Sequence, residues 1–219
     1  PAEPLSLGDY GTLHDAEGNA YDVIYIRQQN NVAVVTFEQV NADRQPTNAA
    51  MLPFARNVFD PMDYTPVVFG DIPGPVERVT TNGFELGLAV LFHSGVQHYA
   101  VLPETMGQVP GFVRELMTKI TVAWDETRFV DGYPGNWVVL ARRTGDTWYV
   151  AGVNGTGAPL EVELALPFLD PRDVSLVTDG KEPRTFRRDQ ISLSEGGRLP
   201  VAIKTNGGFL LTAEVRRPH

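Results

Sequence analysis

Five acidic side chains lie outside the obvious strand patterns, near Pro- or Gly-containing turns or helix starts: Glu38, Asp43, Asp60, Asp63 and Glu85. Paired carboxyl groups suit general acid–base chemistry, and hydrolysis of a glycosidic bond needs two of them. Such a pair lies about 5 to 5.5 Å apart when the anomeric configuration is retained and about 6.5 to 9.5 Å apart when it is inverted. The sequence does not give these separations, so the acids are candidates only.

Two of these acids also have a structural interpretation. Glu85 follows Thr81 and Asn82, either of which can cap a helix, and an acid in the first helical turn is stabilised by the helix dipole. Asp63 lies between two prolines and can simply hold a turn. The least favoured hypothesis is a catalytic pair formed by Glu38 with Asp63 or Glu85.

Two histidines and one acidic loop are possible metal ligands by residue type. His93 and His98 are five residues apart, whereas neighbours on one helix face are three or four apart, so packing or hydrogen-bonding histidines are expected. Residues 15–19 (DAEGN) resemble the opening of a calcium loop, but Ile26 occupies the position of the bidentate acid. A hairpin turn fits this segment better, and the sequence predicts no metal-ligating residue.

Aromatic residues near the C-terminal end could stack on sugar rings, and Trp137, Trp148 and Tyr149 qualify by type. Alternation along a strand sends Trp148 to one face and Tyr149 to the other, so at least one ring is expected in a core. Core packing is therefore favoured over a sugar platform. Asn154 begins an Asn-Gly-Thr glycosylation pattern, but it lies where a hairpin turn is expected.

Hydrophobic patterning predicts the elements that must position these side chains. Residues 21–26 and 32–37 are rich in aromatic and β-branched types and predict strands joined by turns. Apolar residues recur every three or four positions from Phe84 to Tyr99 and again over 109–120, where Pro110 favours a helix start. Short alternating runs then predict an antiparallel sandwich or barrel. These runs are 137–141, 148–153, 160–166, 174–178, 201–203 and 209–215.

Composition excludes several classes of function. The 219-residue chain has a formal charge of −9, a pI near 4.9 and no cysteine. Nucleic-acid binding needs clustered Lys and Arg, so no nucleic-acid partner is expected. Disulfides, thiolate zinc sites and cysteine nucleophiles are excluded. No uncharged apolar run approaches the roughly 20 residues needed to cross a bilayer, so no membrane partner is expected.

Longer blocks of sequence carry a more specific signal. In order along the chain they are 57–66 (NVFDPMDYTP), 81–86 (TNGFEL), 93–98 (HSGVQH), 131–135 (DGYPG) and 148–152 (WYVAG). Together they resemble the C-terminal half of a glycoside hydrolase of family 97 (GH97). By this resemblance the protein would be related to α-glycosidases that act on α-glucosides or α-galactosides and require calcium.

The resemblance also implies a fold of mixed α/β and α+β class. GH97 enzymes have an N-terminal β-sandwich, a (β/α)8 barrel and a C-terminal antiparallel β domain. We therefore expect a β-rich entry segment at 1–36, the last βα units of a (β/α)8-type barrel at 37–126, and an antiparallel β-sandwich domain at 127–219. Active sites of such barrels lie on loops at the C-terminal ends of the strands. Loop 56–66 is the best candidate, with Arg56, Asp60, Asp63 and Tyr64 as substrate-binding residues.

The chain departs from the family where catalysis is concerned. In the family, the glutamates that bind calcium or act as general acid or base precede the block corresponding to residues 37–39, and two of them are six residues apart. By this alignment Arg27 and Ala33 stand at those two positions. We therefore expect no catalytic residue in this chain, and calcium, which the family requires, is not expected to bind to the chain alone.

Two hypotheses follow for the function. The favoured one is the C-terminal portion of an α-glycosidase, which is inactive alone and whose complete form takes an oligosaccharide or polysaccharide substrate. The alternative is a non-catalytic module that binds carbohydrate or forms homo-oligomers through the β domain. A fragment would expose a large apolar patch around Leu86, Leu88, Val90 and Phe92, whereas a free-standing protein would bury it. The family's use of polysaccharides indicates a periplasmic or extracellular location.

Overall fold

The computed structural model describes residues 10–14, 20–28, 31–36, 39–71, 76–169, 173–182 and 184–214. The chain divides into two compact units. The first comprises residues 1–44 with 72–78, and the second comprises 45–71 with 79–219. None of the helices in the described part has the length and hydropathy required to span a membrane.

The first unit contains a three-stranded antiparallel sheet in the order β1-β2-β3. The strands are β1 (Tyr10–His14), β2 (Ala20–Gln28) and β3 (Asn31–Thr36). β2 and β3 confirm the strands predicted over 21–26 and 32–37, of which residue 37 lies outside the described residues. The acidic loop 15–19 and the candidate acid Glu38 lie outside the described residues.

Helices and irregular loops occupy the described residues from 39 to 125. The helices are α1 (Gln39–Met51), α2 (Arg56–Phe59), α3 (Asn82–Leu91), α4 (Pro103–Gln108) and α5 (Gly111–Lys119), with a 3-10 turn at Leu52–Phe54. α3 and α5 confirm the two predicted helices. α3 ends one residue before Phe92, so the apolar spacing that continues to Tyr99 reflects loop packing and not a longer helix.

Residues 126–214 supply an antiparallel six-stranded sheet, in the order β4-β5-β6-β11-β8-β9, and a two-stranded sheet, β10-β7. The strands are β4 (Glu126–Tyr133), β5 (Trp137–Thr144), β6 (Thr147–Asn154), β7 (Leu160–Ala165), β8 (Asp173–Asp179), β9 (Phe186–Ser192), β10 (Arg198–Ile203) and β11 (Gly208–Glu214). All six predicted strands are present. β4 and β9 were not predicted, because Gly132 and a bulge interrupt β4 and four polar residues run through β9.

The central strands of the six-stranded sheet are buried on both faces, and β5 illustrates how. Val138 and Leu140 pack in one apolar cluster with α3, whereas Val139 and Ala141 pack in a second cluster with β7 and β10. Successive strand residues point to opposite faces, so one strand supplies both cores. This explains why β5 and β6 read as nearly continuous apolar runs.

α3 is the central helix of the second unit, since every one of its residues is buried. Gly83 and Gly87 lie one turn apart on the face that meets β6 and β11. A Cβ atom on Gly83 would lie 2.4 Å from the carbonyl oxygen of Gly208, and one on Gly87 would lie 3.4 Å from that of Gly152. The two glycines therefore let the helix backbone approach the sheet closely.

The apolar residues of α3 are covered within this chain. Leu86, Leu88 and Val90 are 0% exposed and Phe92 is 2% exposed. The exposed patch expected for a fragment is thus absent from this helix. Burial of each large side chain stabilises the fold by about 1.5 to 3 kcal/mol, so α3 and the sheet form one core.

Candidate functional site

The first turn of α3 holds a buried acid, Glu85. Its carboxyl group accepts hydrogen bonds from Gln45 Nε2 at 3.0 Å, Thr80 Oγ1 at 2.6 Å and the backbone N–H of Val68 at 3.1 Å. The side chain is 0% exposed. Several donors of this kind are what a buried carboxyl group requires, and here they join the start of α3 to loop 66–70 and to α1.

The structural interpretation of Glu85 is confirmed. Thr81 caps α3, since its hydroxyl accepts a hydrogen bond from the backbone N–H of Phe84 at 3.1 Å. Glu85 thus occupies the favourable N-terminal end of the helix dipole. With no solvent contact and several hydrogen-bond partners, Glu85 fits a structural role better than a place in a rebuilt catalytic pair. Asp43, a candidate acid on helix α1, accepts a hydrogen bond from Gln39 at 2.9 Å on an exposed surface.

Loop 56–66 is fixed by its own side chains. Arg56 donates to the backbone carbonyls of Asp60 at 3.3 Å and Pro61 at 3.1 Å, and its guanidinium lies 3.9 Å from the Asp60 carboxylate. Asn57 donates to the carbonyl of His93 at 3.0 Å and accepts from the backbone N–H of His93 at 2.6 Å. The loop is therefore anchored to the residues that follow α3.

Of the four predicted substrate-binding residues, the structure pairs Arg56 with Asp60. Arg56 and Asp60 form an exposed ion pair, and the Asp63 side chain is also exposed. Tyr64 is half-buried, with its ring 4.5 Å from that of Phe92 in an edge-to-face contact. These positions leave two carboxylates and a guanidinium facing solvent on one loop, which is chemistry that can bind sugar hydroxyl groups.

Tyr64 is linked electrostatically to Glu85. The pKa of Tyr64 is raised to about 12, first by burial and then by the negative charge of Glu85, while a side-chain hydrogen bond with Gln45 offsets part of the rise. The phenol therefore keeps its proton at any physiological pH. As a neutral hydroxyl it can both donate and accept a hydrogen bond.

Sequence reasoning missed Asp179, which lies at the end of β8. Its carboxyl group accepts from the backbone N–H of Gly83 at 2.7 Å, from Thr81 Oγ1 at 2.8 Å and from the N–H of Gly208 at 3.3 Å. An acid from the sheet therefore sits at the N-terminus of α3, where the helix dipole favours negative charge. No local pattern marks this residue, because its partner Gly83 is 96 positions away.

Arg142 occupies the opposite end of α3. This β5 residue is 5% exposed and its Nη2 atom donates to the carbonyl of Leu91, the last residue of the helix, at 3.1 Å. Burial lowers the pKa of Arg142 to about 10, so the guanidinium is still cationic at neutral pH. One sheet thus places the carboxyl group of Asp179 at the positive N-terminal end of the helix dipole and the guanidinium of Arg142 at its negative C-terminal end.

Asp179 gives a testable pH dependence. Burial raises the pKa of Asp179 above 3.8, and the hydrogen bonds from Gly83, Thr81 and Gly208 only partly offset this rise. A pKa that is higher in the folded state means that the stability contributed by Asp179 is complete below pH 3.8 and declines as the pH rises through the folded-state value. Asp179→Asn is expected to lower the free energy of unfolding by about 1 to 3 kcal/mol, with the larger loss at the acidic end.

Urea unfolding of wild type and Asp179→Asn from pH 3 to pH 7 measures this difference. Asp173→Asn removes a carboxylate from the exposed start of the same strand and controls for net charge. A loss that grows as the pH rises would show that the folded state lowers the pKa of Asp179.

The aromatic residues of the β domain follow the core interpretation. Trp148 and Tyr149 are each 3% exposed and lie in different apolar clusters, while Trp137 is half-buried beside Tyr133. Asn154 is 0% exposed, and its amide donates to the carbonyls of Ala158 at 2.6 Å and Lys204 at 3.0 Å. Asn154 therefore holds the turn and is closed to glycosylation in the folded chain.

The described residues do not fit a calcium site. No group of three or more His, Asp or Glu side chains within the described ranges is placed to hold a metal ion. Calcium takes about six to eight oxygen ligands, so no step of a reaction can be assigned to a metal here. His93 lines a cavity beside Arg142, and its pKa is lowered by burial and by the charge of Arg142.

Comparison with known proteins identifies the C-terminal part. Residues 123–213 match the family model described as "Glycosyl-hydrolase 97 C-terminal, oligomerisation". The C-terminal part of this chain is a GH97 C-terminal domain. The expected resemblance to GH97 is thereby confirmed for this part, and the GH97 domain contains the antiparallel sheet that was predicted from the alternating runs.

Relatives extend the similarity beyond the GH97 domain. The "Probable retaining alpha-galactosidase" of Streptomyces bingchenggensis (strain BCW-1) is 36% identical over 198 residues, which cover 84% of this chain and 29% of that protein. A crystal structure of a β-arabinopyranosidase superposes with a TM-score of 0.76 at 35% identity, covering 81% of this chain and 29% of that one. The chain is thus a partial homologue of GH97-like α-glycosidases and spans under a third of these relatives.

A shorter similarity involves a different protein. The ribosome maturation factor RimM of Rhizobium johnstonii (strain DSM 114642 / LMG 32736 / 3841) is 48% identical over 48 residues, which cover 22% of this chain and 25% of RimM. The match covers under a quarter of this chain, so it assigns no function to the chain.

Proposed function

We propose that this chain is the C-terminal portion of an α-glycoside hydrolase that hydrolyses α-galactosides or α-glucosides when complete. The observation that carries the proposal is the match of residues 123–213 to the GH97 C-terminal model, continued by similarity to an α-galactosidase over 84% of the chain. The catalytic glutamates and the calcium site of the complete enzyme would lie outside this chain. The burial of Glu85 and its hydrogen bonds to Gln45, Val68 and Thr80 support that assignment.

The proposed organisation places the entry segment at 1–36, the late βα units of the barrel at 37–126 and the β domain at 127–219. Strands of a parallel barrel need neighbouring strands on both sides. Loops such as 66–70, where Val67 and Phe69 are buried, would therefore become barrel strands only beside the rest of the barrel. The GH97 domain would serve as the platform against which these units pack.

Loop 56–66 would line the substrate pocket in the complete enzyme. Arg56, Asp60 and Asp63 are exposed and carry the donors and acceptors that bind sugar hydroxyl groups. Tyr64 would contribute a neutral phenol at the edge of the same loop. Since the α-galactosidase relative is named as retaining, the two catalytic carboxyl groups would stand about 5 to 5.5 Å apart. A periplasmic or extracellular location follows from the family's polysaccharide substrates.

A second function is favoured by one observation. The description of the matching family model includes oligomerisation. The GH97 domain would then join copies of the chain, with or without catalysis, and no nucleic-acid or membrane partner is proposed.

Hydrolysis assays on the purified chain separate these functions. We expect no release of p-nitrophenol from its α-galactoside, α-glucoside or β-L-arabinopyranoside, with added calcium or with a chelator, from a sample that is folded by its melting curve. The same substrates should be cleaved when the chain is expressed in line with the upstream two thirds of the Streptomyces relative. Calcium-dependent turnover by the isolated chain would contradict the proposed absence of its catalytic acids.

The same samples test assembly by sedimentation velocity. A concentration-dependent dimer from the inactive chain supports the oligomerisation function. A strict monomer that restores activity in the fusion supports the enzyme-fragment function alone.

A further inference from the structure

A cavity of about 580 Å3 lies in the second unit between the residues around α2 and the strands β4 and β5. Its apolar walls are Phe54, Val58, Phe129 and Leu140, and its polar lining includes His93 and Arg142. Cavities of this size hold small molecules. Asn57 and Val58 of loop 56–66 also line it, whereas Asp60 and Asp63 do not.

The charge of this cavity is not balanced by its walls. None of the described residues that line it is acidic. Arg142 is only 5% exposed, and no described residue accepts a hydrogen bond from its Nε atom. The Leu91 carbonyl and the ring face of Trp124, 5.8 Å from the guanidinium carbon, stabilise the cation only in part. Buried guanidinium groups are normally paired with an anion.

The apolar walls favour a flat ring. Phe54 and Phe129 meet edge to face with their centroids 5.7 Å apart, and Phe129 is 59% exposed. Aromatic side chains in such a pair present faces on which an aromatic ring or the apolar face of a pyranose can stack. An anion that carries a six-membered ring would therefore satisfy both the cation and the walls.

We propose that this cavity binds a small carboxylate attached to a six-membered ring, with the carboxylate at Arg142 and the ring between Phe54, Val58 and Phe129. The aromatic acids and the sugar acids share this chemistry. The site shares Val58 with loop 56–66, but it uses none of Arg56, Asp60, Asp63 and Tyr64, which are proposed to bind the substrate.

Ligand titrations followed by NMR test the site on the intact chain. The signals of the Leu140 methyl groups and the His93 ring report on the cavity. The probes are two pairs of similar ring structure that differ in charge, benzoate with benzamide and glucuronate with glucose. We expect the acid of at least one pair to bind about tenfold or more tightly than its neutral partner. If only benzoate binds, the ligands of the cavity are aromatic acids. If only glucuronate binds, they are sugar acids. Equal binding of acids and neutral partners, or no response to either acid, would overturn the proposal.

Two variants make the result specific to Arg142. Arg142→Met retains an apolar side chain of similar length and should weaken binding of the acid by about tenfold or more. Val58→Asp places a carboxylate at the cavity wall. Because Val58 is 61% exposed, the substitution leaves folding intact. It should weaken binding of the acid but not binding of the neutral partner. If Arg142→Met does not fold, Val58→Asp decides alone. Unchanged affinity in a folded Arg142→Met protein or in Val58→Asp contradicts the assignment.

Discussion

Gly83→Ala should destabilise the second unit by about 3 kcal/mol or more, the upper range for overpacking of a tight core. The new Cβ atom would lie 2.4 Å from the carbonyl oxygen of Gly208 and 2.7 Å from Oδ1 of Asp179. The first contact is with backbone, which cannot rotate away as a side chain can. Relieving it requires α3 to move off the sheet, and the hydrogen bond from the Gly83 N–H to Asp179 is lost in the same movement.

Tryptophan fluorescence during urea unfolding and thermal melting measures this effect. All three tryptophans lie in the second unit, so the signal reports that unit alone. For a unit of this size, 3 kcal/mol corresponds to a fall in Tm of about 6 to 12 °C. Gly107→Ala is the matched control, because Gly107 is also helical and exposed and its Cβ atom would meet nothing within 4 Å.

Alanine at Gly107 should be neutral or raise the free energy of unfolding by about 0.4 to 1 kcal/mol, since it reduces the entropy of the unfolded chain. Equal effects of the two substitutions would show that α3 does not approach the sheet as closely as the structure indicates. In that case the hydrogen bonds that Asp179 and Arg142 form with the two ends of the helix would also be wrong.

Glu85→Ala is expected to lower the free energy of unfolding by about 3 to 5 kcal/mol, as when one member of a buried polar pair is removed. Three donors, from Gln45, Thr80 and Val68, would lose their acceptor in a site with no solvent contact. Glu85→Gln preserves volume and one acceptor oxygen, so its cost should be smaller, about 1 to 3 kcal/mol. The same fluorescence-detected unfolding measures both variants.

Glu104→Ala is the control for Glu85. Glu104 is also an acid in the first turn of a helix, but it is exposed. Its replacement should change the free energy of unfolding by no more than about 0.5 kcal/mol. In the active fusion with the upstream segment, a stable Glu85→Gln protein that loses hydrolysis without losing stability would assign Glu85 a chemical role and contradict its structural one.

The elements predicted from sequence were those whose pattern is local. Val, Trp and Tyr residues predict β5 and β6. Apolar residues at helical spacing after the cap residue Thr81 predict α3. β4 and β9 lack such patterns, because a bulge and a Gly interrupt one and charged residues fill the other. Edge strands need only half the burial of central strands, so their sequences are less constrained.

The candidate site was predicted less completely than the fold. The sequence indicated loop 56–66 and raised both interpretations of Glu85, but it did not indicate Asn57, Asp179 or Arg142. Each of these three acts on a backbone group that is 36, 96 or 51 positions away. Contacts over such separations leave no periodic trace in a single sequence.

By itself the sequence determined the class of the fold, most of its strands and helices, and the resemblance to GH97. Side-chain periodicity and short sequence motifs are properties of neighbouring residues, so one sequence is enough to show them. The tertiary structure alone decided that α3 is buried on every side, that Glu85 has no contact with solvent, and that Asp179 and Arg142 lie at the two ends of the helix dipole. Burial and electrostatic pairing depend on which distant segments meet. Only the folded chain brings β5, β8 and α3 together.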